Sequence, residues 1–514
     1  MSIPPEPTAL PDVAVPRALR RRPLPRPGRP DWLSPRVLRT EVLAGLVVAL
    51  ALIPEAISFS IIAGVDPRVG LFASFTMAVT ISIVGGRKAM ISAATAAVAL
   101  VLAPLSREHG LEYLLAAVVL GGVVQVLLGA AGVARLMRFI PRSVMVGFVN
   151  SLAILIFLAQ IPHLVGVPCL VYPLVGAGLL VIYGLPRLTT AVPAPLVAIV
   201  LLTTLTVAAA VRVPTVDEMG ELPSTLPSFG IPTVPFTVET LRIVAPYAVG
   251  VALVGLIESL LTAKLVDDIT DTRSDKTRES WGQGVANIIT GLTGGMGGCA
   301  MIGQTIINVR SGARTRLSTF LAGVLLLLLV VSLGDVVGLI PMAALVAVMV
   351  FVSVSTFDWH SVAPATLRRM PKSETTVMVV TVTVAVVVAS HNLAYGVGAG
   401  VLTAMVLFAR RVAHLAEVTA VTDPDGHQVV YTVHGELFFA SSNDLVHQFD
   451  YAGDPHHVVI DMSRTHVWDA SSVAALDAVT TKYARRGKAV TITGLDEHSA
   501  RIHDRLAGEL AGSH

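Results

Sequence analysis

Two carboxylic acids stand where the surrounding sequence offers them no water. Glu55 sits in Ile53-Pro54-Glu55-Ala56 and Glu258 in Gly255-Leu256-Ile257-Glu258-Ser259, each within a long apolar run. An unpaired ionisable group at the centre of a membrane helix costs at least about 2.5 kcal/mol, so such residues mark ion pathways and proton relays by default. A carboxyl at that depth can take up a proton as an anion arrives, which cancels the repulsion between the two. That is a physical basis for proton–anion symport. The residues leave a second role open, a neutral carboxyl hydrogen-bonded between helices. Pro54 lacks an N–H and so frees a carbonyl one turn back. Ser58 and Phe59 follow at the spacing that places them on the helical face of Glu55.

The carboxylates come with an internal echo. Ala89-Met90-Ile91 runs into Ser92-Ala93-Ala94-Thr95, and Ala300-Met301-Ile302 runs into Gly303-Gln304-Thr305, at an offset of 211 residues; Glu55 and Glu258 are 203 apart. Both segments follow glycine-rich approaches, Gly85-Gly86 and Gly294 to Gly298, and both open a short apolar span. Short, glycine-interrupted segments at matching places in two halves point to an inverted repeat with substrate bound near mid-membrane. One segment runs outward and the other inward, so two half-helix N-termini face each other. Each offers unpaired N–H groups and about half a positive charge. Such a pair forms an anion site without a buried Lys or Arg.

The elements that must position these groups follow from composition. Of 514 residues, 54% are hydrophobic and 14% charged, against roughly 25% charged in soluble domains. So few charges cannot cover a water-soluble surface, and disorder would need the opposite composition. Cys169 and Cys299 are too few for a disulfide scaffold, and a net charge of +2 gives no reason to expect nucleic acid. A helix crosses a ~30 Å hydrocarbon core in roughly 20 residues. Fourteen spans are read at 41–62, 68–86, 92–105, 112–133, 143–161, 170–186, 193–212, 242–263, 281–293, 301–310, 317–333, 338–356, 374–390 and 393–409. Those at 92–105, 281–293 and 301–310 are too short to cross alone. Eighteen Lys and Arg then fall on one side, from Arg87 and Lys88 through Arg138 and the group Arg368, Arg369 and Lys372 to Arg410 and Arg411. Only Arg68, Arg107, Arg212 and Arg242 fall on the other. The positive-inside bias makes both termini cytoplasmic, for a multi-pass protein of the plasma (bacterial inner) membrane. Residues 1–40 form a Pro-rich basic tail with no apolar segment of a signal peptide. Residues 41–411 form the membrane domain, with halves at about 41–212 and 242–411. Residues 415–514 return to ordinary charge density, with strand patterns at Val429 to Val433, His457 to Asp461 and Ala489 to Thr493 and a helix at Val473 to Tyr483: a small cytoplasmic α/β domain.

With these residues in place, the chain resembles the SulP family, solute carrier family 26. The resemblance rests on Val42-Leu43-Ala44-Gly45-Leu46, Ile53-Pro54-Glu55-Ala56, Gly70-Leu71, Glu258 to Lys264, Gly284 to Ile288 and Gly312-Ala313-Arg314-Thr315. The end of the chain, with Val459-Ile460-Asp461-Met462-Ser463 and Trp468-Asp469-Ala470-Ser471, resembles that family's STAS domain. The resemblance implies an α-helical polytopic membrane protein of fourteen segments in a seven-plus-seven inverted repeat, divided into core and gate domains, with a STAS domain and usually a homodimer. It implies an anion site at Glu55, Phe59, Ala93, Ala94, Thr95, Gly303, Gln304 and Thr305, with Glu55 and Glu258 as proton-coupling groups and an elevator-like motion of the core. Many relatives read Gly-Pro where this chain has Ala93-Ala94, which changes the shape of that half-helix. Animal members often place an arginine at the position of Gln304, and its absence argues against simple chloride exchange. Glutamine is common at the position of Glu55, so a carboxyl there favours proton coupling. Soluble STAS relatives phosphorylate a serine where this chain has Ala470, so a structural or docking role, with a cytoplasmic protein partner, is expected in place of a phospho-switch.

The expectation is a transporter and not an enzyme, with no cofactor and no metal. His456-His457 has no ligand spacing around it, and Asp267, Asp268, Asp271 and Asp275 lack the pattern of a calcium loop. The expected activity is proton-coupled symport of a small anion, a dicarboxylate such as fumarate or succinate ahead of bicarbonate or sulfate. A sodium-coupled bicarbonate or sulfate carrier is the alternative. From another class comes a membrane-anchored signalling protein with STAS as its output.

Overall fold

The computed structural model describes residues 34–133, 135, 141–189, 193–363, 374–390, 393–413, 417–438 and 441–506. The tail up to residue 33, Arg138 and the group Arg368, Arg369 and Lys372 lie outside them.

Every expected span is a helix. The first half holds α1 (Pro35–Ala63), α2 (Pro67–Val84), α3 (Ala96–His109), α4 (Leu111–Ala130), α5 (Arg142–Leu158), α6 (Val171–Gly184) and α7 (Ala194–Ala208). The second holds α8 (Val238–Thr270), α9 (Lys276–Leu292), α10 (Ile302–Arg310), α11 (Leu317–Ser332), α12 (Met342–Thr356), α13 (Glu374–Ser390) and α14 (Leu393–Ala413). Among the described residues, five helices, α1, α2, α4, α5 and α8, are long and apolar enough to cross a membrane by themselves. At 1.5 Å per residue, the 9 residues of α10 cover about 14 Å, half of a bilayer core.

Two boundaries that bear on the crossing differ from expectation, each for a local reason. Neither short segment opens directly as a helix. Ser92–Ala93 (β1) and Cys299–Ala300 (β2) are extended and pair antiparallel, Ser92 with Ala300 and Ala93 with Cys299. Their backbone groups are spent on each other, so α3 starts only at Ala96 and α10 at Ile302. Equivalent points in the two halves are therefore 206 to 207 residues apart, close to the 203 between the glutamates, and the Ala-Met-Ile echo at 211 is out of register. The other difference is α9, which begins at Lys276, because the Asp275 side chain accepts the N–H of Arg278 and caps it. That brings Glu279 inside a helix that hydropathy alone had shortened.

The helices sort into two bundles. Helices α1–α4 pack with α8–α11, while α5–α7 pack with α12–α14. The seam is thin: α1 meets α7 and α12, α3 meets α5, and α8 meets α14. Within the first bundle α4 and α9 cross backbone to backbone. A Cβ on Gly122 would lie 2.6 Å from the Gly284 carbonyl oxygen, and one on Gly284 would lie 2.6 Å from that of Gly122. In lipid, where apolar burial gives helices no reason to associate, close backbone approach replaces it.

Two buried glutamates lock the arginine-rich face of this bundle. Glu41 in α1 accepts the N–H groups of Arg314 (2.7 Å), Thr315 (3.0 Å) and Ser318 (3.1 Å), at the start of α11. Glu279 in α9 accepts those of Gly86 (2.7 Å) and Arg87 (2.9 Å), just past α2. Each clamp joins one half of the chain to the other. Nearby, Asp267 pairs with Arg87 at 3.1 Å and Lys276 at 2.6 Å, which gives part of the acidic joint a structural task.

The C-terminal domain has a four-stranded sheet, β3 (Glu417–Thr422), β4 (Gln428–Leu437), β5 (His457–Val467) and β6 (Ala489–Thr493), in that spatial order. The β3–β4 pair is antiparallel and the other two pairs are parallel. Helix α15 (Ala470–Ala484) crosses between β5 and β6, and α16 (Glu497–Leu506) ends the described chain. Val433, Ile460, Met462, Leu476, Val479 and Tyr483 form its core. Asp469 caps α15 by accepting the Ser472 N–H at 3.0 Å, so it starts a helix whatever follows it.

Replacing Glu279 by Ala strands two backbone N–H groups and is expected to cost about 3 kcal/mol. The check is the melting temperature of the purified protein in detergent, which should fall clearly for Glu279→Ala and less for Glu279→Gln.

Candidate anion site

The site is built where β1 and β2 cross. Backbone unwound inside a bilayer has no water to bond, so side chains and neighbouring strands must supply every partner. Helix α9 supplies much of this from one face. Gln283 donates to the Ser92 hydroxyl at 2.7 Å and to Glu279 at 2.8 Å. Asn287 donates to the Gly298 carbonyl at 3.0 Å and to Gln125 at 2.8 Å, and accepts the Gly298 N–H at 2.9 Å. Thr290 shares a 2.8 Å hydrogen bond with Thr76. Ser259 accepts the Ala300 N–H at 3.1 Å, and Ser74 accepts that of Ala94 at 3.3 Å. The Met301 N–H donates to the Ile91 carbonyl at 2.8 Å, and Thr305 accepts the Ile91 N–H at 3.0 Å.

Past the crossing the chain turns into two helix N-termini. Neither has a side-chain cap: Thr95 does not cap α3, and Met301 has no group to cap α10. The first-turn N–H groups of both are thus left for another partner. Ala93, Ala94 and Thr95 are buried at the crossing, whereas Gly303 is exposed and a Cβ there would meet nothing within 4 Å.

The two glutamates reach this point from opposite halves. Gln304 Nε2 on α10 donates to Glu55 Oε1 on α1 at 2.8 Å. Gln304 Oε1 is buried with no partner. Glu258 on α8 accepts from the Cys299 thiol at 2.9 Å, and Cys299 Sγ lies 3.1 Å from Thr95 Oγ1. Ser58 donates to the Pro54 carbonyl at 2.8 Å. Phe59 is buried in the apolar core one turn past Glu55. The structure therefore gathers Glu55, Gln304, Thr95, Gly303 and Glu258 around the crossing, while the Thr305 hydroxyl is engaged with Ile91. Sequence reasoning missed Cys299, Ser74, Ser259, Gln283 and Asn287. Polar residues at 279, 283, 287 and 290, at helical spacing in an otherwise apolar stretch, were the signal for the last two.

A crevice of about 600 Å³ opens along the seam between the bundles. Ile62, Leu100, Ala103, Arg107 and Glu108 line it from the first bundle, and Leu155 and His163 from the second.

The chain is similar to known proteins. A model of the sulfate permease family covers residues 38–174 and 169–381, and a STAS domain model covers 418–507. The protein YbaR of Bacillus subtilis (strain 168) is 53% identical over 470 residues, 91% of this chain and 97% of YbaR. The chain belongs to the sulfate permease family. The bicarbonate transporter BicA of Picosynechococcus is 24% identical over 92% of this chain and 91% of its own. Among solved structures, the murine Slc26a9 anion transporter in its inward-facing state superposes with a TM-score of 0.77 at 16% identity, over 92% of this chain and 89% of that one. That likeness shows the fold: a helical membrane transporter with a C-terminal STAS domain. Members of the sulfate permease family are transporters and not enzymes, and this one is an anion transporter of that family.

Two glycines separate shape from binding. A Cβ at Gly298 would collide with the Ala93 carbonyl oxygen, whereas one at Gly303 meets open space. Gly298→Ala is expected to abolish anion uptake and lower the melting temperature together. Gly303→Ala is expected to melt like the unaltered protein yet raise KM by about tenfold, by crowding the α10 N-terminus. Uptake into proteoliposomes paired with thermal melts reads both.

Proposed function

We propose that this chain is a proton-coupled symporter for a small dianion, a dicarboxylate such as fumarate or succinate or the sulfate for which the family is named. The anion would lie at Gly303, between the uncapped N-termini of α3 and α10, next to Glu55. The single observation that carries this reading is the Glu55–Gln304 bond, which sets a carboxyl beside the α10 N-terminus with no buried Lys or Arg described against it. Two helix N-termini supply about one positive charge in all. A carboxylate within that field competes with the anion, and protonating it removes the competitor. The unpartnered Gln304 Oε1 is an acceptor that a protonated Glu55 can use. Proton and anion then occupy the site together or not at all.

Transport would proceed by sliding the bundle that holds the crossing against the other. The clamps at Glu41 and Glu279 support this, since they tie that bundle together at its arginine-rich end, while the seam has few contacts and a crevice. The arginine-rich face would be cytoplasmic, with the STAS domain on the same side, in a bacterial plasma membrane.

The test is uptake of labelled fumarate, succinate, sulfate and bicarbonate into proteoliposomes under a proton or a sodium gradient. A proton gradient is expected to drive uptake of one of the dianions, and Glu55→Gln is expected to remove most of that dependence while leaving the melting temperature nearly unchanged. Uptake that follows sodium and ignores the pH gradient would refute proton coupling. It would favour the second reading, a bicarbonate carrier, for which the likeness to BicA is the supporting observation. Removing residues from 415 onward is expected to leave measurable uptake, because no residue of the proposed site lies there.

A further inference from the structure

We propose that Cys299 and Thr95 form a reversible hydrogen-bond string that reports the protonation of Glu258 to the α3 N-terminus and decides whether the Thr95 hydroxyl is available to the anion. The inference rests on the proton-coupled reading above and extends it to how the second carboxyl acts.

The string is short and buried. Cys299 Sγ sits 2.9 Å from Glu258 Oε2 and 3.1 Å from Thr95 Oγ1, and all three residues are at most 8% exposed. Thr95 occupies the N-cap position, where a threonine ordinarily accepts an N–H from its own first turn. Here it makes no such bond and is turned to the cysteine instead. The diversion leaves the α3 N–H groups uncapped and gives the hydroxyl one proton with two possible destinations. On the opposing half-helix Gln304 is 2% exposed and its Oε1 has no partner, an acceptor open to a protonated Glu55.

Donor counting fixes how the string must behave. A hydroxyl and a thiol each carry one hydrogen and can also accept, whereas a carboxylate only accepts. With Glu258 ionised, the thiol donates to the carboxylate and the Thr95 hydroxyl donates to sulfur. Adding one proton to Glu258 makes the carboxyl a donor to sulfur. The thiol then turns to donate to Thr95 Oγ1, and the Thr95 hydrogen is released toward the anion. No covalent bond changes except the O–H formed on Glu258. A protonated Glu258 thus adds a donor to the anion site, and an ionised one withdraws it.

The other titratable groups stand apart from this string. Cys299 is the side chain bonded to the Glu258 carboxyl. Glu55 is engaged with Gln304. On the elements packed against α8, Arg107, Glu108 and His109 lie at the far end of α3, Glu112 at the start of α4, and Lys276, Arg278 and Glu279 at the start of α9. Arg310 ends α10, and Tyr395 lies near the start of α14. On α8 itself, Glu239, Arg242, Tyr247, Lys264, Asp267 and Asp268 are all more than a turn from Glu258.

The experiment measures KM and kcat for labelled fumarate and labelled sulfate in proteoliposomes, at acid and at alkaline external pH. The variants are Cys299→Ala, Cys299→Ser and Glu258→Gln in the full chain, with melting temperature as the folding control. Cys299→Ala breaks the string at both ends and is expected to keep kcat within about threefold while reducing the pH dependence of KM by about tenfold, the value of a hydrogen bond to a charged partner. Cys299→Ser can both donate and accept, so it is expected to retain that dependence. The proposal is overturned if Cys299→Ala keeps the full pH dependence, or if Cys299→Ser loses it as completely as Cys299→Ala. If Glu258→Gln removes the dependence and Cys299→Ala does not, the string alone falls and proton coupling stands. If neither Glu258→Gln nor Glu55→Gln alters proton-driven uptake, the coupling reading itself fails and the string falls with it.

Discussion

Everything in the membrane domain answers to one constraint: two extended dipeptides cross inside the apolar interior, and their backbone groups must find partners without water. A buried N–H or carbonyl left alone at that depth costs several kcal/mol. The antiparallel pairing of Ser92–Ala93 with Cys299–Ala300 meets part of the demand. Gln283, Asn287, Ser259, Ser74 and Thr305 meet much of the rest. Those side chains come from α2, α8, α9 and α10, so the crossing can form only after both halves of the chain have packed together. The proposed anion site would be a by-product of the same geometry. Once the extended residues are satisfied sideways, the helices beyond them begin with free N–H groups pointing back at the crossing.

Rigidity and mobility are divided along the same line. The bundle that contains the crossing is clamped at its arginine-rich end by Glu41 and Glu279, each accepting N–H groups from a loop of the other half. Its helices touch with glycine at the interface, as where Gly122 faces Gly284. The second bundle meets it through a few helix pairs and a crevice. A body stiffened by internal polar clamps and bounded by a sparse, largely apolar seam is one that can move as a unit. Apolar surfaces slide with little change in hydrogen bonding, whereas the clamps would have to break entirely.

How much of this was legible in sequence depends on the physical signal each feature leaves. Span positions were legible because the demand for about 20 apolar residues overrides all else; each of α1 through α14 overlaps a stretch that hydropathy marks. Glu55 and Glu258 were legible because a charge in an apolar run stands out. The extended residues were not, since Ser-Ala and Cys-Ala carry no strand periodicity at two residues' length, and their conformation is imposed by a partner some 200 positions away. The start of α9 was misjudged for the opposite reason: Lys276, Arg278 and Glu279 lower its hydropathy, although Glu279 serves a buried part of the fold. In the STAS domain the alternation at Val429 to Val433 marked a strand, but exposed β3 had no such pattern to show.

The halves of the repeat are alike in path but not in chemistry. Both glutamates take their hydrogen bonds from a single stretch of the second half: Glu55 from Gln304 and Glu258 from Cys299. The first half contributes only Thr95 to this exchange, through the same cysteine. The β2–α10 segment is therefore a hub, and residues 299 to 304 carry the hydrogen-bond donors to both carboxyls. Its bond to Glu55 spans two helices of one bundle, so it would survive the proposed motion of that bundle as a unit and would yield only to a change at the site itself, such as arrival of an anion or a proton. A sensor of occupancy has to have this property, because a contact that changed with every excursion of the bundle could not distinguish loaded from empty.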